Sequence, residues 1–311
     1  MSHIPIGEIN HYISMKNFLI IGGTTKAGTS ALFNYLAQNP NFCPSNIKET
    51  RFFLESDYPV KARSVLDTSD FNNYYKFFNC NDDRKIFLEA TPDYLYSQQA
   101  ITGIKNLVER NHNVKLLFIL RNPVERFISW FYFGKLLNDI SEKMSFREFY
   151  EQNLLDIKDN NALTALKKGL YSHYLADYLN FFDKKDIILI PYSEFKNKPI
   201  EVLNEIYKEL NLPEVSAEQI SLSLSNETYH VKNRFLFECL QKLRRYKARL
   251  NSPLINRTIK KLQFVVKLIV KVNSGEVDKS LIDSSTLEEV KKYYEGELHN
   301  LSTCFKIDFN W

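Results

Sequence analysis

Up to about residue 210, short β-branched and aliphatic runs alternate with helix-length amphipathic segments, the pattern of a parallel sheet whose strands are joined by helices. NFLIIG at Asn17–Gly22 reads as a buried strand, followed by a glycine-containing loop and a helix near Thr29–Gln38. Lys85–Leu88 reads as a second strand and VKLLFIL at Val114–Leu120 as a third. Pro123 sits where the first position of a helix favours proline, and that helix extends to about Leu137. Asp186–Pro191 is a further strand, and Pro199–Leu210 returns as a helix. The pattern predicts an α/β, P-loop-like three-layer fold, a central parallel sheet flanked by helices, in a single domain over residues 1–311.

The segment from Val231 to Val272 breaks this alternation. Lys232, Arg234, Lys242, Arg244, Arg245, Lys247, Arg249, Arg257, Lys260, Lys261, Lys267 and Lys271 face Glu238 as their single acidic neighbour, a local charge of +11 in a chain of +4. Leu236, Leu240, Leu243, Tyr246 and Leu250, then Ile255, Ile259, Leu262, Val266 and Ile269, keep helical spacing. Two basic amphipathic helices broken near Pro253 are predicted. They are either a solvated charged face or a flap that attracts an anionic glycan or an anionic membrane surface.

The overall charge of +4 argues against nucleic-acid binding over the whole surface. Hydrophobic residues at 44% and charged residues at 25% are ordinary for a globular protein. No run approaches the ~20 apolar residues of a spanning helix. Cys43, Cys80, Cys239 and Cys304 form no C-x-x-C pair and no zinc-ligand spacing, so four reduced thiols and no metal site are expected. With no basic and apolar leader pattern at the N-terminus, the expected location is the cytoplasm, with peripheral contact at the inner membrane surface as an extension of the basic segment.

Two stretches carry the chemistry. GTTKAGTS at Gly23–Ser30 lies between a strand and a helix, where backbone N–H groups bind phosphate well. Gly28 lets the backbone approach an anion, and Thr29 and Ser30 offer hydroxyls. The spacing of Gly23 and Gly28 is that of a Walker A loop, but Thr29 stands in the lysine position and Lys26 lies inside the loop. A lysine there is placed for the bridge of a phosphosulfate. LRNPVERFIS at Leu120–Ser129 follows another strand end, where ligands of open α/β sheets collect. Arg121 with Ser129 can grip a second phosphate, the arginine through its fork of donors.

IIGGTTKAGTSAL resembles the 5′-phosphosulfate loop of sulfotransferases that use 3′-phosphoadenosine 5′-phosphosulfate (PAPS), and LRNPVERFIS resembles their 3′-phosphate motif. The likeness is greatest to the heparan-sulfate 3-O and N types and to related bacterial carbohydrate sulfotransferases. KETRFF at Lys48–Phe53 is similar to their segment with a carboxylate before Phe-Phe. LEATPDY at Leu88–Tyr94 is similar to their Glu-Lys-Thr-Pro block, and Gly169–Tyr171 and the ending Phe309–Trp311 also fit.

The resemblance implies transfer of a sulfuryl group from PAPS to a hydroxyl or amine, with 3′-phosphoadenosine 5′-phosphate as product. Glu49 would be the general base and Lys26 the cation on the leaving phosphate. Thr25, Lys26, Ala27, Gly28, Thr29, Ser30, Arg121 and Ser129, with Lys232 and Arg234, would hold the nucleotide. Lys48, Arg51, Phe52, Asp93 and Tyr171 would meet the acceptor, a glycan, glycolipid or small molecule. Three departures stand out. The 3-O enzymes have His where Arg51 stands, Ala90 replaces the lysine of the Glu-Lys-Thr-Pro block, and their Lys-Gly-Arg loop and cysteine pair have no counterpart. The rival readings are a P-loop nucleotide-dependent kinase and a non-catalytic membrane- or polyanion-binding protein. The kinase lacks a Walker B aspartate, because Val114–Leu120 ends in Arg121.

Overall fold

A computed structural model describes residues 15–59, 70–80, 82, 84–155, 157, 159–222, 230–231, 274–275 and 278–309. The basic stretch 232–272, with Lys232 and Arg234, and residues Asn310 and Trp311 lie outside the described residues.

The described residues form two compact units, one of residues 1–122, 170–225 and 297–311, the other of 123–169 and 226–296. The first is built on a five-stranded, all-parallel sheet. Its strands are β1 (Asn17–Gly23), β2 (Phe42–Pro44), β3 (Ile86–Ala90), β4 (Asn113–Leu120) and β5 (Ile187–Pro191), in the order β2-β3-β1-β4-β5. Its helices are α1 (Thr29–Leu36), α2 (Phe71–Tyr75), α3 (Gln98–Glu109), α6 (Tyr171–Leu179), α7 (Tyr192–Asn197), α8 (Pro199–Glu209) and the end of α9 (Ser284–Phe305).

The sheet is apolar on both faces, as parallel sheets covered by helices are. Phe18 and Ile20 of β1, with Leu116, Phe118 and Leu120 of β4, join Tyr74, Ile101, Ile104 and Tyr178 in one core. Leu19 and Ile21, with Leu117 and Ile119, join Leu32, Leu36, Leu203 and Ile206 in the other. Burying a side chain of this kind fully contributes about 1.5–3 kcal/mol. The near-continuous hydrophobic strands are thus what fixes the middle layer.

The order of strands positions the site. From β1 the chain passes to β2 at the edge and returns to β3 on one side, then crosses to β4 and β5 on the other. The reversal falls between β1 and β4, and the crevice at their carboxyl ends is where open sheets take ligands. The loops after these two strands carry Lys26 and Arg121.

In the second unit, α4 (Pro123–Leu137) sets Phe127 against Phe146 and Phe149 of α5 (Phe146–Leu154). Buried Arg126 donates to the Ala165 carbonyl at 2.9 Å, and Tyr294 of α9 donates to the Leu166 carbonyl at 2.6 Å. A two-residue ladder pairs His230–Val231 with Ser274–Gly275.

The strands and helices expected up to residue 210 are present within one to two residues at their ends, and β2 is an addition; the two basic helices expected beyond Val231 lie outside the described residues. The expectation of four reduced thiols is corrected. Cys43 of β2 and Cys80 are joined in a disulfide with a Cα–Cα distance of 6.1 Å across a separation of 37 residues. Ser45 pairs in a bridge with Phe78, and Asn46 N–H donates to the Phe77 carbonyl, which brings the two cysteines together. The bond staples an edge strand just before the Lys48–Phe53 segment. Cys80→Ser is expected to lower stability by about 2–4 kcal/mol for a loop of this length. Thermal unfolding checks this, with non-reducing peptide mapping to recover the bridge; an unchanged Tm would count against it.

Candidate active site

β1 ends at Gly23, and the Thr24 N–H continues the pairing by donating to the Ile119 carbonyl of β4 at 2.8 Å. The loop then turns through two left-handed residues, Lys26 at φ 71° and Gly28 at φ 84°. Gly28 closes the turn into α1, and its carbonyl accepts the Ala31 and Leu32 N–H groups at 3.0 and 3.1 Å. A Cβ added there would lie 2.7 Å from the Tyr192 ring. Glycine is therefore required by the dihedral and by the close approach together.

Tyr192 begins α7 at the carboxyl end of β5, and the Arg121 guanidinium lies over its ring, 5.3 Å from the centroid. Arg121 Nη1 donates to the Lys26 carbonyl at 3.4 Å, and the Arg121 carbonyl accepts from Tyr171 at 2.9 Å. The loop after β1 and the arginine after β4 thus share one edge, as predicted. Burial, then the nearby Arg121 charge, push the Lys26 ammonium down to about 8. Two adjacent cations, one of them buried, form a cradle that an anion stabilises.

Across this cradle lies Lys48–Phe53. The Lys48 ammonium donates to Thr29 Oγ1 at 3.3 Å and to Glu49 Oε1 at 3.2 Å. Arg51, at φ 54°, donates from Nη2 to Glu49 Oε2 at 2.7 Å. The Glu49 side chain keeps 31% of its exposure, so it is clamped yet reachable. Burial raises the Glu49 carboxyl, but the charges and hydrogen bonds of Lys48 and Arg51 outweigh it and hold the group below the usual range. Burial in turn pulls the Lys48 ammonium down, against the raising effect of Glu49.

The segment rests on the end of β3. Ala90 N–H donates to the Lys48 carbonyl at 3.1 Å and Arg51 N–H to Thr91 Oγ1 at 3.2 Å. Thr50 Oγ1 donates to Glu89 Oε2 at 2.5 Å and lies 3.1 Å from the Tyr94 hydroxyl. Asp93 accepts from Tyr58 at 2.9 Å.

Several expected site residues come together: Lys26, Gly28, Thr29 and Arg121 on the anion side, Lys48, Glu49 and Arg51 facing them. Thr25 and Ser30 flank the loop, and Ala27 is fully buried, so it contributes backbone alone. Two residues expected to meet the acceptor, Phe52 and Tyr171, lie inside the protein. Phe52 is 1% exposed and packs on Phe53, Phe71 and Tyr74, because the backbone turns it into the core. Tyr171 is fully buried, its hydroxyl spent on the Arg121 carbonyl. Ser129 is buried on α4 in the second unit. Tyr192, Tyr58 and Thr50 were not expected. The position of Tyr192 directly after a strand was the available signal for it. Among the described residues no group of His, Cys, Asp and Glu is arranged to hold a metal.

Residues 16–233 match a family model described as the sulfotransferase domain. Bifunctional heparan sulfate N-deacetylase/N-sulfotransferase 1 of Caenorhabditis elegans is 26% identical over 231 residues, 70% of this chain and 25% of that protein. Carbohydrate sulfotransferase 15 of Homo sapiens is 29% identical over 271 residues, 67% of this chain and 46% of that protein. The chain thus spans between a quarter and about half the length of these relatives. A solved sulfotransferase from Alicyclobacillus acidocaldarius superposes with a TM-score of 0.56 at 24% identity, over 76% of this chain and 93% of that one. That likeness shows the fold.

The cradle makes a pH prediction. Lys26 loses its charge as pH rises through about 8, so affinity for 3′-phosphoadenosine 5′-phosphate is expected to fall above that pH. Lys26→Arg keeps the charge and should flatten the decline, while Lys26→Ala removes a charge-assisted contact worth about 1.5–3 kcal/mol. Calorimetry between pH 6.5 and 9.5 checks both, where a wild-type affinity independent of pH would count against the assignment.

Proposed function

The chain belongs to the sulfotransferase domain family, and we propose from this that it moves a sulfuryl group from PAPS to a hydroxyl or amine of a carbohydrate acceptor, as a free glycan or a glycolipid. The observation that carries this reading is the Lys48 bridge, which ties Thr29 at the start of α1 to the Glu49 carboxylate. One ammonium spans the anion loop and the candidate base, so the donor and acceptor sides of an in-line transfer meet across a few ångströms.

PAPS, when bound, supplies an activated sulfuryl group and a phosphate leaving group. The residues present fit it: the cradle has two cations, a left-handed glycine and the start of a helix, which together suit a phosphosulfate. Lys26 would sit at the leaving phosphate and stabilise the charge that grows there. Arg121, braced by Tyr192 and Tyr171, would hold the second phosphate.

Glu49 would take the acceptor proton. Its two cations keep it ionised at neutral pH, as a proton acceptor must be, at some cost in basicity. The acceptor hydroxyl becomes more acidic as its oxygen bonds to sulfur, so transfer late in the step suits a weak base. The carbohydrate acceptor is supported by the names of the relatives and by Lys48 and Arg51, which suit an anionic sugar. The basic run 232–272 supports attraction of the same class of acceptor, or of an anionic membrane bearing it. The Cys43–Cys80 bond favours an oxidising compartment over the cytoplasm expected from the sequence.

Glu49→Gln keeps shape and removes the proton acceptor. Turnover is expected to fall by about 10²–10⁴-fold, with unchanged affinity for 3′-phosphoadenosine 5′-phosphate. Labelled PAPS with fractionated glycans and glycolipids as acceptors, alongside nucleotide calorimetry, reads both quantities. Label transfer by the variant at the wild-type rate would overturn the role of Glu49.

A further inference from the structure

Glu89 is a carboxylate inside the sheet, the one charged residue of the strand IFLEA. It is 0% exposed and pairs in register with Ile20 of β1. The alternation of β3 sends it to the same face as Phe87, into the core that holds Phe18, Tyr74 and Tyr94. A strand interior of this kind is a costly place for a charge. Hydroxyls surround it: Thr50, from the segment after β2, donates to Oε2, and Tyr74 of α2 with Thr91 and Tyr94 of the turn after β3 stand near, while Oε1 has no hydrogen-bond partner among the described residues.

The consequence lies one residue from the candidate base. Thr50 sits between Glu49 and Arg51, and its hydroxyl donates to Glu89 while receiving the Phe52 N–H at 3.3 Å. Tyr94, 3.1 Å from the same hydroxyl, receives the Phe53 N–H at 3.3 Å. Glu89 therefore pins the middle of the Lys48–Phe53 turn through Thr50, while the Ala90 N–H and the Thr91 hydroxyl hold Lys48 and Arg51 on either side.

We propose that Glu89 is a positioning residue for the transfer reaction: through Thr50 it sets the place of the Glu49 carboxylate, and its ionisation state sets how well. The role rests on the function proposed above. Ionised, Glu89 can only accept, and Thr50 is driven to donate to it. Protonated on Oε1, which has no hydrogen-bond partner among the described residues, it leaves the Thr50 hydroxyl donating to a neutral carbonyl oxygen, and the charge-assisted bond that pins the turn weakens. Burial pushes the carboxyl up from 4.5 to about 7, with the Thr50 hydrogen bond and the nearby hydroxyls of Tyr94, Tyr74 and Thr91 offsetting part of the rise. The switch falls near neutrality, well above the titration of Glu49 itself. Because the folded state holds this proton more tightly than the unfolded chain, stability contributed by Glu89 is full below pH 4.5 and is lost as pH rises through about 7.

The test follows the Glu49 carboxyl carbon by NMR in protein labelled at the glutamate side-chain carboxyl, with the resonance assigned by Glu49→Gln. In the wild type this resonance should show an inflection near pH 7 that vanishes in Glu89→Gln. This arm needs no acceptor, so it stands even if the proposed sugar acceptors fail. The kinetic arm uses labelled PAPS with N-unsubstituted heparosan and chondroitin as acceptor probes. Wild-type kcat should fall below about pH 7, and Glu89→Gln should lose that limb while keeping nucleotide affinity. Thr50→Val should lower kcat by about tenfold to a hundredfold, the scale of a misplaced reacting group, again without loss of nucleotide affinity. A Glu49 resonance blind to Glu89 would overturn the proposal, as would superimposable pH profiles for wild type and Glu89→Gln. Transfer to neither probe by the wild type would count against the acceptor class alone, leaving the NMR arm to decide the role of Glu89.

Discussion

The burial of the Lys26 ammonium beside Arg121 is the constraint on which the site depends. Loss of water around the ammonium is the larger cost, and the like charge of Arg121 at the end of the neighbouring strand adds to it. Folding must hold them there regardless, and the surroundings show how. The loop turns through left-handed Lys26 and Gly28, Tyr192 lies under the guanidinium, and Tyr171 fixes the arginine backbone. The apolar faces of β1 and β4 supply the stability that offsets the strain. An anion arriving at this edge relieves the repulsion, so the energy invested in holding the cations apart from water returns as affinity.

A second charge arrangement faces the first with opposite logic. Glu49 is satisfied in the resting protein by Lys48 and Arg51, and Lys48 also reaches Thr29. The anion cradle and the carboxylate are therefore coupled through one side chain. Beneath them Glu89 is held in an aromatic core by the Thr50 hydroxyl. The three layers differ in environment: a cation pair pushed together, an ion-paired carboxylate at the surface of the cleft, and an isolated carboxyl within the sheet.

Much of this was legible in the sequence, for physical reasons. β1 and β4 are long apolar runs that only a doubly covered sheet can bury, and Pro123 marks the start of α4 in both readings. The loop with Lys26 and the strand-end Arg121 were found because position relative to a strand carries chemical meaning. β2 escaped because it has three residues, one of them proline, too few to show a period. The disulfide escaped because 37 residues separate its cysteines and no spacing rule applies at that distance. Phe52 and Tyr171 were placed on the acceptor by motif, but burial depends on how the backbone turns, which spacing does not encode. Glu89 did leave a signal. A glutamate within an apolar strand needs a reason, and the hydroxyl-bearing residues around it were scattered over three stretches of the chain.

On the proposed function, Lys26 and Arg121 form one anion-binding edge that takes both phosphate ends of a nucleotide. A crystal structure with 3′-phosphoadenosine 5′-phosphate tests it most directly. The 5′-phosphate should lie against the Thr24–Ser30 loop with the Lys26 ammonium on it, and the 3′-phosphate within hydrogen-bonding distance of Arg121. A nucleotide bound elsewhere, or bound with Arg121 turned away from both phosphates, would contradict the account.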